Sequence, residues 1–171
     1  MTAEQSLSST QIGAIAENLV ANLLIRDSSG RLSPFWAIAD DDGIDLLVYD
    51  KKTGRALPIQ VKSRTKALKK RGSNDRGNVV HFEVRDKTIK SDDFAHLVAI
   101  LLSDDLAHCE CAWFLPLKEV IRIGSRKSGK YVIRPSRSIG SRDKFVPYRC
   151  PTSADLVNAM IRYFDSNSES Q

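Results

Sequence analysis

Three polar residues on two neighbouring predicted strands could form a catalytic site. Residues 44–49 and 57–63 have the apolar and β-branched composition of strands, and the turn-forming residues between them predict a β-hairpin. Side chains alternate along a strand, so burial of the apolar positions of the hairpin places Asp45, Gln60 and Lys62 together on the opposite face. A carboxylate, an amide and an ammonium group at one place are suited to binding a cation and activating water.

The oxygen atoms of this set match the ligands that a hard divalent cation prefers. Mg²⁺ or Mn²⁺ takes carboxylate and carbonyl oxygens, and Mg²⁺ keeps several waters in an octahedral shell. The Asp45 carboxylate, the Gln60 amide oxygen and the Val61 main-chain carbonyl could supply such ligands. The Lys62 ammonium group could then orient or deprotonate the attacking water, or stabilise charge on a phosphorane. The spacing alone is a weak pattern, and a hairpin with incidental polar residues is the alternative.

A fourth candidate ligand lies on the first predicted helix. This helix is expected to begin with a cap at residues 8–10 and to run to about Arg26, because its apolar residues recur at helical spacing. Glu17 falls at the border of the apolar face, and Gly13, one turn earlier, leaves room for the carboxylate to face the hairpin. An ordinary solvent-facing glutamate is the alternative interpretation.

Together these residues resemble the PD-(D/E)xK nuclease superfamily. Glu17 in a first helix, Gly43-Ile44-Asp45 at one strand and Ile59-Gln60-Val61-Lys62-Ser63 on the next are similar to its motif. The predicted order helix–strand–strand–strand–helix–strand is similar to the restriction-endonuclease-like core. The Gln-x-Lys variant is similar to Mrr-type restriction endonucleases and to a bacterial family related to the archaeal Holliday-junction resolvases. The resemblance covers roughly residues 10–120.

The resemblance implies a metal-dependent endonuclease that hydrolyses DNA phosphodiester bonds in repair, recombination or restriction. Glu17 and Asp45 would bind Mg²⁺ or Mn²⁺, Gln60 would replace the usual acidic ligand, Lys62 would be the catalytic lysine, and Ser63 would contact phosphate. A neutral ligand at position 60 should weaken metal binding unless Glu17 compensates. A non-catalytic nucleic-acid-binding or assembly module on the same fold is therefore the alternative function. Members of the superfamily often cut duplexes as dimers, which suggests a homodimer.

Charge is distributed unevenly along the chain. The formal net charge is +5, but residues 1–50 carry two bases against eight acids, whereas residues 51–90 carry thirteen bases against three acids. A second basic band, residues 118–149, holds ten bases against two acids. Such bands beside a metal site indicate DNA, held through its phosphates, and a solvated basic surface is the alternative. The residues predicted to contact nucleic acid are Ser63, Arg64, Lys66, Lys69, Lys70, Arg71, Arg76, Arg126, Lys127 and Lys130.

Other features of the sequence argue against several protein classes. A chain of 171 residues that is 42% hydrophobic and 27% charged predicts one soluble globular domain, residues 1–171. No apolar run approaches the ~20 residues of a membrane span, and the polar N-terminus does not have the pattern of a secretory signal. The three cysteines favour a reducing cytoplasm, and His108-Cys109-x-Cys111 lacks a second ligand pair for zinc, so structural thiols are favoured. No GxGxxG, GxxxxGK[ST] or GxSxG motif is present.

The order of predicted elements indicates an α/β fold, a three-layer core in which helices flank a central mixed β-sheet. After the first helix we expect strands at 35–39, 44–49 and 57–63, a mobile loop at 65–78, and a strand at 79–84. A one-turn helix from Ser91 to Phe94, strands at 96–102 and 111–116, a helix at 117–121, and a strand at 131–133 should follow. A final helix should start after Thr152 or Ser153. Residues 121–165 are therefore expected to form a basic extension, which ends in this helix, beyond the core at about 10–120.

Overall fold

The secondary structure alternates between a few helices and many short strands. The structure is a computed structural model that describes residues 6–37, 43–72, 74, 77–89 and 94–168. In chain order it contains α1 (Ser9–Asp27), β1 (Leu32–Trp36), β2 (Leu46–Asp50), β3 (Arg55–Arg64), β4 (Phe82–Arg85), β5 (His96–Leu102), β6 (Cys109–Pro116), α2 (Leu117–Ile123), β7 (Ser125–Lys127), β8 (Lys130–Ile133), β9 (Arg149–Cys150) and α3 (Ser153–Ser168).

A mixed sheet of six strands forms the central layer, in the order β1-β2-β3-β5-β6-β9. Strands β3 and β5 run parallel, and the other neighbours are antiparallel. In the β2–β3 hairpin Leu46 pairs with Ile59, and both are fully buried. The alternation predicted for this hairpin is therefore confirmed: its apolar residues share the face that packs against the helices.

Helices α1 and α3 cover one face of the sheet. Helix α1 starts at a capping box in which Ser8 Oγ accepts a hydrogen bond from Gln11 N, and Ser8 N donates to Gln11 Oε1. Helix α3 starts after Thr152, whose Oγ1 accepts a hydrogen bond of 3.2 Å from Asp155 N. The buried residues that join both helices to the sheet include Ala16, Val20, Leu24, Val48, Ile59, Val98, Leu156, Met160 and Phe164.

A small antiparallel sheet and helix α2 cover the opposite face. The small sheet has the order β4-β8-β7 and packs its apolar side on the central strands. The ring of Phe82 meets that of Trp113 edge-on at a centroid distance of 5.9 Å, and both residues are fully buried. The two faces together make three layers, which confirms the predicted α/β class with a central mixed sheet flanked by helices.

The first strand lies earlier in the chain than predicted. A strand was expected at 35–39 because of its aromatic residues, but β1 spans Leu32–Trp36 and residues 38–39 lie outside the described part. Leu32 is fully buried, whereas Phe35 and Trp36 are about half exposed. The pairing of Leu32 with Asp50 sets this register, because it buries the leucine and leaves the aromatic residues at the sheet margin.

Strand β7 has no counterpart among the predicted elements. Its three residues are exposed and polar, so nothing in their pattern indicates a strand. Ser128 and Gly129 both adopt positive φ angles, 49° and 72°, which makes a two-residue turn that returns the chain into β8. Strand β9 was not predicted either. The boundaries of the predicted elements that the structure fully describes differ from prediction by up to three residues, and β5 matches its predicted range.

Two predicted segments are only partly covered by the structure. The described residues of 65–78 contain no named strand, although Leu68 N donates to Val79 O at 2.7 Å. The cap predicted at Ser91 lies outside the described residues, and a 3₁₀ turn at Asp86–Thr88 precedes that gap. Beyond residue 120, the chain supplies β9 to the central sheet and α3 to the helical layer, so this region is integrated with the core.

Among the described residues, no helix is long and apolar enough to cross a membrane.

Candidate active site

Strand β3 brings the predicted site residues to one open cleft of about 550 Å³. Gln60 and Lys62 project from the face of β3 opposite the helices, and Asp45 precedes β2 beside them. Asp45, Gln60 and Lys62 therefore line the same cleft, as the alternation along the hairpin predicted. The other lining residues are Ser9, Gly43, Arg64, Glu83, Arg85, Lys87, Thr88 and Lys130.

Main-chain hydrogen bonds hold Asp45 at the start of the hairpin. Asp45 N donates to Ile59 O at 2.9 Å, just before the paired residues Leu46 and Ile59 of the hairpin. Asp45 Oδ2 accepts a hydrogen bond of 2.6 Å from Val61 N. These contacts fix the Asp45 carboxylate at the main chain of Ile59 and Val61, the two residues that flank Gln60 on β3.

Gln60 is the most buried polar group of the cleft, with 2% of its surface exposed. Its Nε2 donates to Thr88 Oγ1 at 3.4 Å, and the Thr88 hydroxyl itself donates to Arg85 O at 2.8 Å. Within the described residues, Gln60 Oε1 is buried and has no hydrogen-bond partner. A buried acceptor without a donor is costly, so this oxygen is suited to a ligand that supplies positive charge.

Gly43 permits the close packing around that amide. It has a φ of +70°, and a Cβ atom at this position would lie 2.7 Å from both Gln60 Nε2 and Thr88 Cβ. Only glycine adopts this backbone conformation without strain while leaving the space that the amide occupies. Gly43, Gln60 and Thr88 thus form one packed unit on the wall of the cleft.

Glu17 lies in a neighbouring cleft of about 270 Å³ rather than in the cleft of Asp45. Its half-buried side chain shares this space with Gly13 of α1 and with Val61 and Ser63 of β3. Ser9, Lys62 and Arg64 line both clefts. The structure therefore brings together three of the four predicted catalytic residues, and Lys62 lies between them and Glu17. The predicted metal-binding roles of Glu17 and of the Val61 carbonyl stay predictions.

The main cleft carries more positive than negative charge. The cations Lys62, Arg64, Arg85, Lys87 and Lys130 face the carboxylates of Asp45 and Glu83. Lys130 Nζ lies 2.7 Å from Glu83 Oε2, and this ammonium group, with His81, lowers the pKa of Glu83 to about 2. Glu83 therefore stays ionised and neutralises only part of the positive charge, which leaves a cleft suited to a polyanion.

The other residues predicted to contact nucleic acid fall into three groups. Ser63 and Arg64 lie beside Lys62, as expected from their place on β3. Arg126 Nη2 pairs with Asp86 Oδ2 at 2.8 Å, and Arg126 and Lys127 line a further cleft beside the β7–β8 turn. In the segment after β3 the predicted contacts Lys66, Lys69, Lys70 and Arg71 are exposed, and Arg76 lies outside the described residues.

Four cleft residues, Glu83, Arg85, Lys87 and Thr88, were not among the predicted site residues. They lie on β4 and the 3₁₀ turn after it, and they reach the cleft because the small sheet packs over β3. Arg85 and Lys87 belong to the first basic band, which is the one sequence signal that could have indicated them. Nothing in the sequence marks Thr88.

The cysteines and the buried histidine have structural environments. The three thiols are free, and burial raises the pKa of Cys109 and Cys150 to about 12 and that of Cys111 to about 11. Among the described residues no group of three or more His, Cys, Asp or Glu side chains could hold a metal ion. His96 stacks on Phe114 at 4.8 Å, and burial lowers its pKa to about 4, so the ring is neutral.

The fold of this chain is similar to that of an endonuclease of known structure. The chain superposes on a bacterial homing endonuclease, I-Ssp6803I, with a TM-score of 0.61 over 97% of this chain and 100% of the other. The two sequences are 20% identical, so the likeness concerns the fold. No family model matches the sequence, and no curated protein matches it significantly.

Proposed function

We propose that this protein is a metal-dependent endonuclease that hydrolyses DNA phosphodiester bonds in the cleft of Asp45, Gln60 and Lys62. The observation that carries the proposal is the buried Gln60 Oε1, which has no partner among the described residues and belongs to a residue that lines the same cleft as the hydrogen-bonded Asp45 carboxylate. The resemblance of these residues to the PD-(D/E)xK superfamily and the fold shared with a homing endonuclease support it.

The donor set around the cleft fits Mg²⁺ or Mn²⁺. Asp45 and Gln60 would hold the ion through oxygen, with Glu17 and the Val61 carbonyl as the further predicted ligands. A bound ion of this kind supplies Lewis-acid chemistry, because it polarises phosphate and acidifies water. Since one ligand is a neutral amide, the site carries less negative charge than an all-carboxylate site, and its metal affinity should be correspondingly modest.

The Lys62 ammonium group is the catalytic cation of the proposal. It is half-buried between the two clefts, and in the described part of the chain its Nζ forms no ion pair. From there it would orient the attacking water or donate hydrogen bonds to the phosphoryl oxygens as charge develops on them. The water oxygen would form a bond to phosphorus as the bond to O3′ breaks, which leaves a 5′-phosphate and a 3′-hydroxyl.

DNA as the substrate follows from charge and from the structural likeness. Five cations line the cleft, and the likeness extends over nearly the whole of both chains. One such site cuts one strand, so cleavage of both strands of a duplex would use a homodimer.

A direct assay tests the proposal. Purified protein is incubated with linear, supercoiled, branched and single-stranded DNA, with Mg²⁺ or Mn²⁺ and with a chelator. We expect metal-dependent cleavage that falls at least ~100-fold in Asp45→Ala and in Lys62→Ala, in line with the loss of a general acid–base or electrostatic group. Lys51→Ala, an exposed residue of the β2–β3 turn outside the clefts, is the matched control. Undiminished cleavage by either site variant would overturn the assignment of the site.

A non-catalytic nucleic-acid-binding or assembly module is the second candidate. The separation of Glu17 from Asp45 into neighbouring clefts favours it, because the described lining of the main cleft then holds two acidic residues, Asp45 and Glu83, and Glu83 is already paired with Lys130. This alternative predicts DNA binding that weakens steeply with salt, without turnover. The variant Gln60→Glu separates the two, since it should raise metal affinity if Gln60 is a ligand and change little if it is not.

A further inference from the structure

The outer face of the small sheet carries a transverse row of three cations. Arg85 of β4 pairs in register with Lys130 of β8, and Lys130 pairs with Lys127 of β7. Residues paired in this way project from the same face of a sheet, so the three side chains lie next to one another. The apolar residues of β4, such as Phe82 and Val84, occupy the other face and belong to the core.

This row is unfavourable for the isolated protein. Like charges directly opposite each other destabilise a sheet. Glu83 forms an ion pair with Lys130 and so compensates the charge of one of the three cations. In the described part of the chain Arg85 and Lys127 form no ion pair. The arrangement therefore costs folding free energy that a polyanionic partner would recover.

The row joins the main cleft to a second basic cleft. Arg85 and Lys130 line the cleft of Asp45, Gln60 and Lys62. Lys127 lines a second cleft of about 440 Å³, behind the β7–β8 turn. The remaining lining of the second cleft is Ile123, Ser125, Arg126, Val132, Arg134, Asp143, Lys144 and Phe145. One continuous surface thus runs from the catalytic residues to the far side of the small sheet.

The second cleft is basic because four cations, Arg126, Lys127, Arg134 and Lys144, line it against one carboxylate, that of Asp143. The Asp143 carboxylate accepts hydrogen bonds from Ser136 N at 3.1 Å, from Phe145 N at 2.8 Å and from Ser141 Oγ at 2.6 Å. These bonds use its oxygens for local structure. Lys144 is exposed, and like Lys127 it forms no ion pair among the described residues.

We propose that this surface, from Arg85 through Lys130 and Lys127 to Lys144, holds the phosphate backbone of a DNA duplex on one side of the cut. The proposal rests on the proposed function for the position of the cut. Neighbouring strands are ~4.8 Å apart, so the row spans roughly 10 Å. That length is comparable to the rise of about three nucleotides along the axis of a duplex, at ~3.4 Å per nucleotide of one strand. Contacts of this kind give affinity and register without reading sequence.

The test measures DNA binding without divalent metal, so that it is independent of cleavage. Fluorescence anisotropy with a labelled duplex gives Kd over a range of salt concentrations. It is measured for the unmodified protein and for the double variant Lys127→Ala/Lys144→Ala. We expect weaker binding and a log Kd versus log salt slope shallower by about two, because two phosphate contacts are lost. Lys51→Ala is the control and should keep the slope of the unmodified protein.

The outcomes separate this surface from the nuclease assignment. Both variant side chains are exposed, so thermal unfolding should show an unchanged fold. A double variant with unchanged affinity and slope overturns the proposal, and so does failure of the unmodified protein to bind duplex DNA. Salt-dependent binding that the double variant weakens, in a protein that does not cleave, supports the surface and rejects the nuclease function.

Discussion

At the scale of single residues, the orientation of the Gln60 amide decides what the cleft can bind. The Thr88 hydroxyl donates its proton to Arg85 O, so towards Gln60 it can act only as an acceptor. It therefore selects the NH₂ group of the amide and leaves Oε1 buried without a donor among the described residues. Thr88 is in this sense a positioning residue for the proposed metal ligand.

The variant Thr88→Val tests this role. Valine keeps the shape but leaves Gln60 Nε2 without its acceptor, so we expect Mn²⁺ affinity, measured by calorimetric titration, to fall by roughly tenfold or more. Thr88→Ser retains the hydroxyl and should keep most of the affinity. Equal affinities of the valine variant and the unmodified protein would show that Thr88 does not orient the amide.

Gly43→Ala should damage the same unit through its backbone and its Cβ. The φ of +70° is strained for alanine, and the added methyl group would press on Gln60 and Thr88. We expect a loss of about 1–3 kcal/mol in the free energy of unfolding together with weaker Mn²⁺ binding. Gly54→Ala is the matched control, because Gly54 has a φ of +71° but the nearest atom to the new Cβ would be the Tyr49 hydroxyl oxygen at 3.9 Å. The Gly54→Ala variant should lose stability and keep its Mn²⁺ affinity. An equal loss of Mn²⁺ affinity in both variants would contradict the packing role of Gly43.

At the scale of elements, one ion-pair network ties the β1–β2 end of the sheet to α3. The Arg31 guanidinium binds the buried Asp50 carboxylate through Nε and Nη2, at 2.7 and 2.9 Å, and it also reaches Asp165 of α3. The hydrogen bonds from Arg31, and to a smaller extent those from Thr53 and Lys52, lower the pKa of Asp50 to about 2. The network anchors the sheet layer to the helical layer at the opposite end of β2 from Asp45.

Loss of the Arg31 guanidinium should be costly at neutral pH and less costly in acid. In Arg31→Leu the Asp50 carboxylate remains buried without its cation, so we expect a loss of about 3 kcal/mol or more at pH 7 by urea unfolding. Because the folded pKa of Asp50 is depressed from an unfolded value of ~3.9, its stabilisation is present above that value and is lost as pH falls towards 2. The difference between the two proteins should therefore narrow between pH 4 and pH 2. Lys52→Ala removes only an exposed partner of Asp165 and should change stability by less than ~1 kcal/mol.

At the scale of the whole molecule, the uneven charge of the sequence becomes a spatial arrangement. The acidic first third supplies Asp45 and Glu17, and the first basic band supplies Lys62, Arg64 and other cations around them. The second band adds Lys130 to the cleft and extends the positive surface over the small sheet. This arrangement places a carboxylate and an amide at the centre of a surface suited to phosphates.

Local patterns were sufficient to predict the centre of this arrangement. The period-two alternation of the hairpin predicted that Asp45, Gln60 and Lys62 share one cleft, because burial of its apolar face determines the register. The cap and periodicity of α1, the uniformly apolar β5 and the amphipathic α3 were also predictable, since each depends on near neighbours in sequence.

The remainder depends on tertiary contacts that carry no local signal. Strand β7 is polar and exists because it pairs with β8, while Thr88 and Arg85 reach the site because β4 packs over β3. The helical wheel placed Glu17 at the border of the apolar face, but it could not determine which side of β3 the carboxylate would occupy. The positions of these residues depend on how the layers pack against one another. No single position in the sequence indicates that packing.

A crystal of the protein soaked in Mn²⁺ tests the central claim most directly. Anomalous scattering locates the ion, and the account predicts a peak within direct coordination distance of both the Asp45 carboxylate and Gln60 Oε1. In Gln60→Met, which removes the amide oxygen, this peak should weaken or disappear under the same soak. A well-diffracting soaked crystal that holds no ion between Asp45 and Gln60 would contradict the proposed metal site and the nuclease function built on it.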